Sequence, residues 1–198
     1  MPSTEPRVLI LACGALAREI RAIIDTHGWA HVHLHCLPAI LHNSPADIPG
    51  AVAQAIEQRG QGFDRVFVAY ADCGTGGALE AVCRAQGAEM IAGPHCYAFF
   101  DGLDQFAARD EPTSFYLTDF LARQFNAFVW EPLGLDRHPE LLPLYFGNYE
   151  KLVYLAQTDD KALTAAAQDA ANRLGLAFER RKTGYGDLTP ALTTAAKL

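Results

Sequence analysis

The sequence predicts an α/β fold: a mostly parallel, doubly wound, Rossmann-like sheet with helices on both faces. Three observations predict it. In the first half, strand-like runs alternate with helical spacings four times, the repeat that builds parallel sheets from βα units. The runs Leu9-Ile10-Leu11-Ala12 and Val66-Phe67-Val68-Ala69-Tyr70 are continuously apolar, as strands covered on both faces are. Each leads directly into a cysteine and a glycine, Cys13-Gly14 and Asp72-Cys73-Gly74, with a small-residue helix start beyond.

In chain order, Arg7 to Ala12 reads as the first buried strand. Ala15 to Thr26 carries Leu16, Ile20, Ile23 and Ile24 at helical spacing, and His27-Gly28 ends the helix, glycine accepting the left-handed cap. His31-Val32-His33-Leu34-His35-Cys36-Leu37 alternates strictly, which predicts a strand with its three histidines on one face. Ala39 to Pro49 is a long loop containing Leu41-His42-Asn43-Ser44-Pro45, and such loops are more often functional than merely connecting. A helix from Pro49 to Arg59, a strand from Arg65 to Tyr70, a helix from about Ala78 to Gln86 and a short strand from Glu89 to Ala92 complete the first half.

Beyond Phe100 the spacing predicts a short helix over Leu103 to Ala108 and a helix over Thr118 to Phe128, capped by Thr118 or Ser114. A helix around Glu140 to Tyr149 and a strand from Leu152 to Ala156 follow. An alanine-rich helix from Lys161 to Leu174 stops at Gly175, and an edge strand from Ala177 to Arg181 precedes a glycine-hinged loop and a short tail. No linker or low-complexity tract interrupts the chain. One domain over residues 1–198 is the economical reading, and two halves, 1–100 and 101–198, sharing one site are the alternative.

A net charge of −7 and a pI near 5.4 offer no basic stripe for phosphates, so neither nucleic acid nor an anionic membrane is an expected partner. No run of ~18 apolar residues predicts a membrane span. The start, Met1 to Pro6, lacks the basic and apolar regions of a signal peptide. A cytoplasmic location is therefore expected, and with it reduced thiols. Five cysteines in a reducing compartment are then better read as ligands or nucleophiles than as a disulfide framework.

Cys13, Cys73 and Cys96 each fall at the carboxyl end of an expected strand, the edge where open parallel sheets bind ligands. Cys13 and Cys73 also stand at expected helix N-termini, which favour the thiolate. Any one of them could be a small buried hydrophobe. Three at equivalent topological positions, beside Gly, Asp or His, point instead to a shared metal site. A [4Fe–4S] cluster with one open iron suits three cysteines and is slightly favoured. Zinc is the alternative, with His95 as fourth ligand or the fourth position open, and a metal-free cysteine nucleophile with His95 as base is a third possibility. Cys36 is a weaker candidate, and Cys83, inside a helix, is assigned to packing. Around the thiols, Gly14, Gly74, Thr75 and Gly76 at helix starts, with His42 and Asn43 from the long loop, are the expected ligand-binding rim. Their amides could cradle a phosphate or carboxylate, with close helix–sheet packing as the plain alternative. The glycines match no dinucleotide fingerprint, and no dinucleotide is expected. Asp72, Tyr97 and His95 are the candidate acid–base groups, and Tyr70 flanks the same edge. Tyr116, Asp119, Tyr145, Asn148 and Tyr149 form a polar-aromatic set that suits a pocket wall or a satisfied core. His31, His33 and His35 are read as the half-exposed side of a strand, and His138 as a capping or surface residue.

The stretches Ala12-Cys13-Gly14-Ala15-Leu16, Cys36-Leu37-Pro38-Ala39 through Asn43, and Asp72-Cys73-Gly74-Thr75-Gly76-Gly77 carry a family resemblance. Gly93-Pro94-His95-Cys96-Tyr97, Phe146-Gly147-Asn148-Tyr149 and Ala156-Gln157-Thr158-Asp159-Asp160 extend it. The chain resembles a prokaryotic family catalogued as domain of unknown function 1638. That resemblance implies a gene-neighbourhood link to corrinoid-dependent methyltransferases and so to one-carbon metabolism. Asp136-Arg137-His138-Pro139 does not fit the Asp-x-His-x-x-Gly pattern of cobalamin carriers, so the chain is not expected to carry the corrinoid itself. The expectation is a metalloprotein that acts on a small metabolite beside such a system. A non-catalytic partner or chaperone of the methyltransferase system is the alternative from another class.

Overall fold

A computed structural model describes residues 6–197; residues 1–5, where most of the expectation about a leader rests, and residue 198 lie outside the described residues. The chain forms two compact units, one drawn from Met1–Cys96 and Asp187–Leu198, the other from Tyr97–Gly186.

In the first unit, β1 (Val8–Cys13), β2 (Val32–Leu37), β3 (Arg65–Ala69) and β4 (Glu89–Met90) form one parallel sheet in the order β2-β1-β3-β4. All six residues of β1 are buried, as a central strand covered on both faces requires. The chain runs outward from β1 to β2, then returns across to β3, so the winding direction reverses between β1 and β3. Right-handed crossovers then place α1 (Ala17–His27) on one face and α2 (Ile48–Arg59) with α3 (Ala78–Ala85) on the other. The gap beyond the carboxyl ends of β1 and β3 is the topological switch point, where ligands bind in folds of this class.

In the second unit, β5 (Ser114–Leu117), β6 (Lys151–Ala156) and β7 (Ala177–Lys182) form a second parallel sheet in the order β5-β6-β7. Its core gathers Leu117, Phe125, Leu135, Phe146, Leu152, Tyr154 and the small buried face Ala167, Ala170, Ala171 of α8 (Lys161–Leu174). The short helices α4 (Ala98–Asp101), α5 (Leu103–Arg109), α6 (Asp119–Arg123) and α7 (Leu142–Phe146) complete the unit.

The parallel α/β class is the one the sequence predicts, with its strands divided between two sheets. Gly28 and Gly175 take the left-handed cap conformation, at φ of 64° and 70°. Thr118 caps α6 by accepting from the Leu121 amide at 3.4 Å. Four details differ. The expected helix over Thr118 to Phe128 is interrupted after Arg123 and resumes as a π turn at Asn126–Trp130. The helix expected to Tyr149 ends at Phe146. Ser114–Leu117 is a strand where a cap was expected, because four residues are too short to show a period. The tail is α9 (Leu188–Ala196), whose Leu188, Leu192, Ala195 and Ala196 make a buried stripe; Pro190 lies in its first turn, where a missing amide hydrogen costs no intrahelical bond. Among the described residues, no helix is long and apolar enough to cross a membrane.

Candidate metal centre

The site grows from the switch point. Cys13 ends β1, and its Sγ accepts from the Ala15 amide at 3.4 Å, capping the 3-10 turn Gly14–Leu16. Gly14 is required there by close approach: a Cβ would sit 2.9 Å from the Leu37 carbonyl oxygen and 3.1 Å from the Ala39 nitrogen. That contact seats the end of β2, and with it the 3-10 turn Ala39–Asn43, against the end of β1. The turn carries His42, whose Nδ1 lies 3.4 Å from Cys13 Sγ.

Cys73 comes from the loop after β3. Its φ of 48° is left-handed, an uncommon conformation for a residue with a side chain, and one that persists where surrounding bonds over-determine it. Here the Asp72 amide donates to Gly93 O and the Cys73 amide to Pro94 O, each at 2.9 Å. Asp72 folds the rest of the loop, accepting from Thr75 Oγ1 at 2.9 Å, the Gly76 amide at 3.2 Å and the Gly77 amide at 2.7 Å. Those bonds, the one from the Gly77 amide foremost, hold its carboxyl below the usual range. The two backbone bonds to Gly93 and Pro94 bring the Gly-Pro-His-Cys stretch alongside, and Cys96 Sγ stands 3.2 Å from Cys73 Sγ.

One ligand atom from each of His42, Cys73 and Cys96 lies within 4.8 Å of the others. Cys73 and Cys96 are buried and His42 half-buried. The bond from Cys96, with His42 beside it, draws the Cys73 thiol down to about 5 despite burial. The same bond and complete burial push Cys96 well above the ordinary thiol value. Hydrogen bonds to Cys13 and then Cys73 raise His42 to about 10. These mutual bonds favour a thiolate at Cys73 and a proton on His42, and such a donor set releases protons when a cation takes their place. Imidazole and thiolate are the ligands of zinc and other borderline or soft ions.

The residues expected at this edge are distributed as follows. Cys73 and Cys96 meet, and the histidine that joins them is His42, with Cys13 touching that histidine. His95 is half-buried and is not a member of the group. Asn43 is exposed. The Gly76 and Gly77 amides are engaged by Asp72, so the anion cradled by the Gly74-Thr75-Gly76-Gly77 turn is a carboxylate of the same loop; Asp72 is accordingly a positioning residue. Tyr97 belongs to the second unit, stacked on Tyr116 at 5.2 Å and edge-on to Phe106 at 5.7 Å. In that unit Asp119 accepts from Tyr154 Oη at 2.6 Å, Thr158 Oγ1 at 2.6 Å and the Gln157 amide at 3.1 Å, which makes it a satisfied core group. Cys83 is buried in α3, and burial raises it to about 11. Cys36 is half-buried, paired in register with Ala12 and raised chiefly by burial. The role of Asp72 was readable in principle: Asp-x-x-Thr-Gly-Gly is the composition of a side-chain-closed turn.

A family model described as "Protein of unknown function (DUF1638)" matches residues 36–192. No curated protein and no solved structure matches the chain.

Proposed function

The chain belongs to the DUF1638 family, and from that premise we propose that it is a metalloprotein holding a single ion through His42, Cys73 and Cys96. The observation that carries this reading is the convergence of three ligand atoms within 4.8 Å from three separate loops, at the switch point of a parallel sheet. Zinc fits this donor set best. Two thiolates on one tetrahedral ion at ~2.3 Å stand about 3.8 Å apart, close to the 3.2 Å between Cys73 and Cys96. Thiolates on separate irons of a [4Fe–4S] cluster stand wider, so the cluster favoured from the sequence suits these loops less well. The ion would bind and polarise a small metabolite. A thiol is the class we favour, because an ion held by two thiolates takes a further soft ligand readily. The proposed setting, a corrinoid-dependent methyl-transfer system of one-carbon metabolism, is supported by the family resemblance. Metal analysis after anaerobic purification tests the reading: one ion per chain, lost on Cys73→Ser, is expected, and metal-free protein that refuses added zinc would refute it.

A second reading is favoured by a specific observation, the placement of Cys73 beside His42 and Cys96, whose bonds draw its thiol down to about 5. Without metal, Cys73 is an activated nucleophile and His42 the imidazole that has taken its proton and can return it to a leaving group. Alkylation of Cys73 that zinc fails to block would favour this reading over the first.

A further inference from the structure

Tyr70 follows the last residue of β3 and is wholly buried, and its hydroxyl has no hydrogen-bond partner among the described residues. Buried hydroxyls are ordinarily paired, because leaving one dry and unbonded is costly. Its place explains what it awaits. Ala12 and Ala69 are register partners in the parallel β1–β3 ladder, so the next residues, Cys13 and Tyr70, stand side by side at the carboxyl ends. Register partners in a parallel pair direct their side chains to the same face. Burial foremost, then the charges of Cys13 and Cys96, the nearness of the Cys13 sulfur and the charge of Cys73, hold the phenol proton tightly. The hydroxyl therefore lies on the Cys13 side of the candidate metal centre, where Cys13 Sγ stands 3.4 Å from His42 Nδ1.

His42, Cys73 and Cys96 supply three ligands, and a tetrahedral ion has a fourth position. Cys13 is engaged with His42 Nδ1 and the Ala15 amide. That is the arrangement of a group orienting a ligating imidazole through its other ring nitrogen. A phenol O–H that keeps its proton is a donor waiting for an electron-rich acceptor, and a metal-bound anion is such an acceptor.

We propose that Tyr70 is the hydrogen-bond donor that positions a small thiol, bound as its thiolate, in the fourth position of the ion held by His42, Cys73 and Cys96. The step is a ligand binding without redox change: the S–H bond breaks, a metal–sulfur bond forms and the proton leaves to solvent. The inference rests on the metal reading above and adds to it the open position, the class of ligand and the residue that selects it.

The test uses the full chain loaded with cobalt(II) under anaerobic conditions and titrated with 2-mercaptoethanol. Cobalt binding is scored first, from the sulfur-to-cobalt charge-transfer absorption of the two protein thiolates. Added thiol is expected to increase that absorption saturably. Tyr70→Phe keeps the shape and the bound cobalt but weakens thiol binding about ten- to a hundredfold, the loss expected for one hydrogen bond to a charged acceptor. A cobalt-loaded protein whose spectrum ignores the thiol would overturn the proposal while leaving the metal reading intact, and so would a Tyr70→Phe protein that binds thiol as well as the parent. Failure to bind cobalt at all, visible before any thiol is added, would remove both.

Discussion

Cys73 Sγ and Cys96 Sγ stand 3.2 Å apart although neither residue lies in a strand or helix. Their meeting is arranged by backbone: the amides of Asp72 and Cys73 bond the carbonyls of Gly93 and Pro94. Two loops that follow adjacent strands, β3 and β4, are stitched together next to the switch point between β1 and β3. The thiols are the consequence of that stitch, and His42 reaches them from a third loop.

Two thiols this close, one of them a ready thiolate, should oxidise to a disulfide when no metal holds them. Diamide treatment of metal-free protein is expected to give an intramolecular Cys73–Cys96 crosslink, identified by peptide mass mapping, with zinc protecting. Disulfide geometry demands an S–S bond of ~2.05 Å, a closure of about one ångström from the observed contact. Crosslinking that appears first at Cys83 or Cys36 would contradict this ordering.

Asp72 should matter through the loop. Asp72→Ala removes three acceptor bonds, which predicts a stability loss of about 1–3 kcal/mol together with weakened metal binding. Asp72→Asn, which keeps one acceptor oxygen, should fall between. Urea denaturation and zinc titration of the three proteins would check it; a direct acid–base role would instead leave stability and metal affinity untouched.

Gly14 should be intolerant for a different reason. Gly14→Ala drives a methyl group against the Leu37 carbonyl and the Ala39 amide, so the turn bearing His42 has to move. Destabilisation of about 1–3 kcal/mol is expected, with a drop in metal affinity. Gly50→Ala, where an added Cβ meets nothing within 4 Å, is the matched control.

The cysteine positions were legible because each follows an apolar run that reads as a strand. The ligand set was not legible, because it depends on strand order. Cys13 belongs to the switch point as much as Cys73 does, yet the turn at Ala39–Asn43 interposes His42, and no periodicity marks a 3-10 turn. Tyr70 reads in sequence as the last apolar residue of a strand; only the Ala12–Ala69 register brings the residue after Ala69 to the end of β1. Asp72 looked like an acid–base candidate because a lone carboxylate beside a cysteine does not reveal that its acceptors face its own loop. The tail helix was hidden by Thr189, Pro190 and Thr193, poor helix formers whose deficit is offset by the burial of Leu188 and Leu192.

Acid sensitivity should come from the second unit. Glu111 accepts from Lys151 at 2.8 Å and from Arg181 through both oxygens at 2.8 Å. Burial opposes its charge, but these cations outweigh burial and hold the carboxyl at about 2, against an ordinary 4.5. A carboxylate with a depressed folded-state value contributes stability that is complete above its unfolded value and lost as pH falls through the folded one. Stability should therefore fall between pH 4.5 and about 2, and Glu111→Gln should flatten that limb and lower the plateau at neutral pH. Chemical denaturation as a function of pH would show it; an unchanged acid limb would count against the assignment.

The most direct measurement is zinc titration of the reduced, metal-free chain, alongside Cys73→Ser, His42→Ala and Cys83→Ser. One ion per chain is predicted for the parent and for Cys83→Ser, with affinity lost by a factor of ten or more in the other two, the scale of removing a ligand or its support. Equal binding by all four proteins, or binding by none, would contradict a metal centre at His42, Cys73 and Cys96.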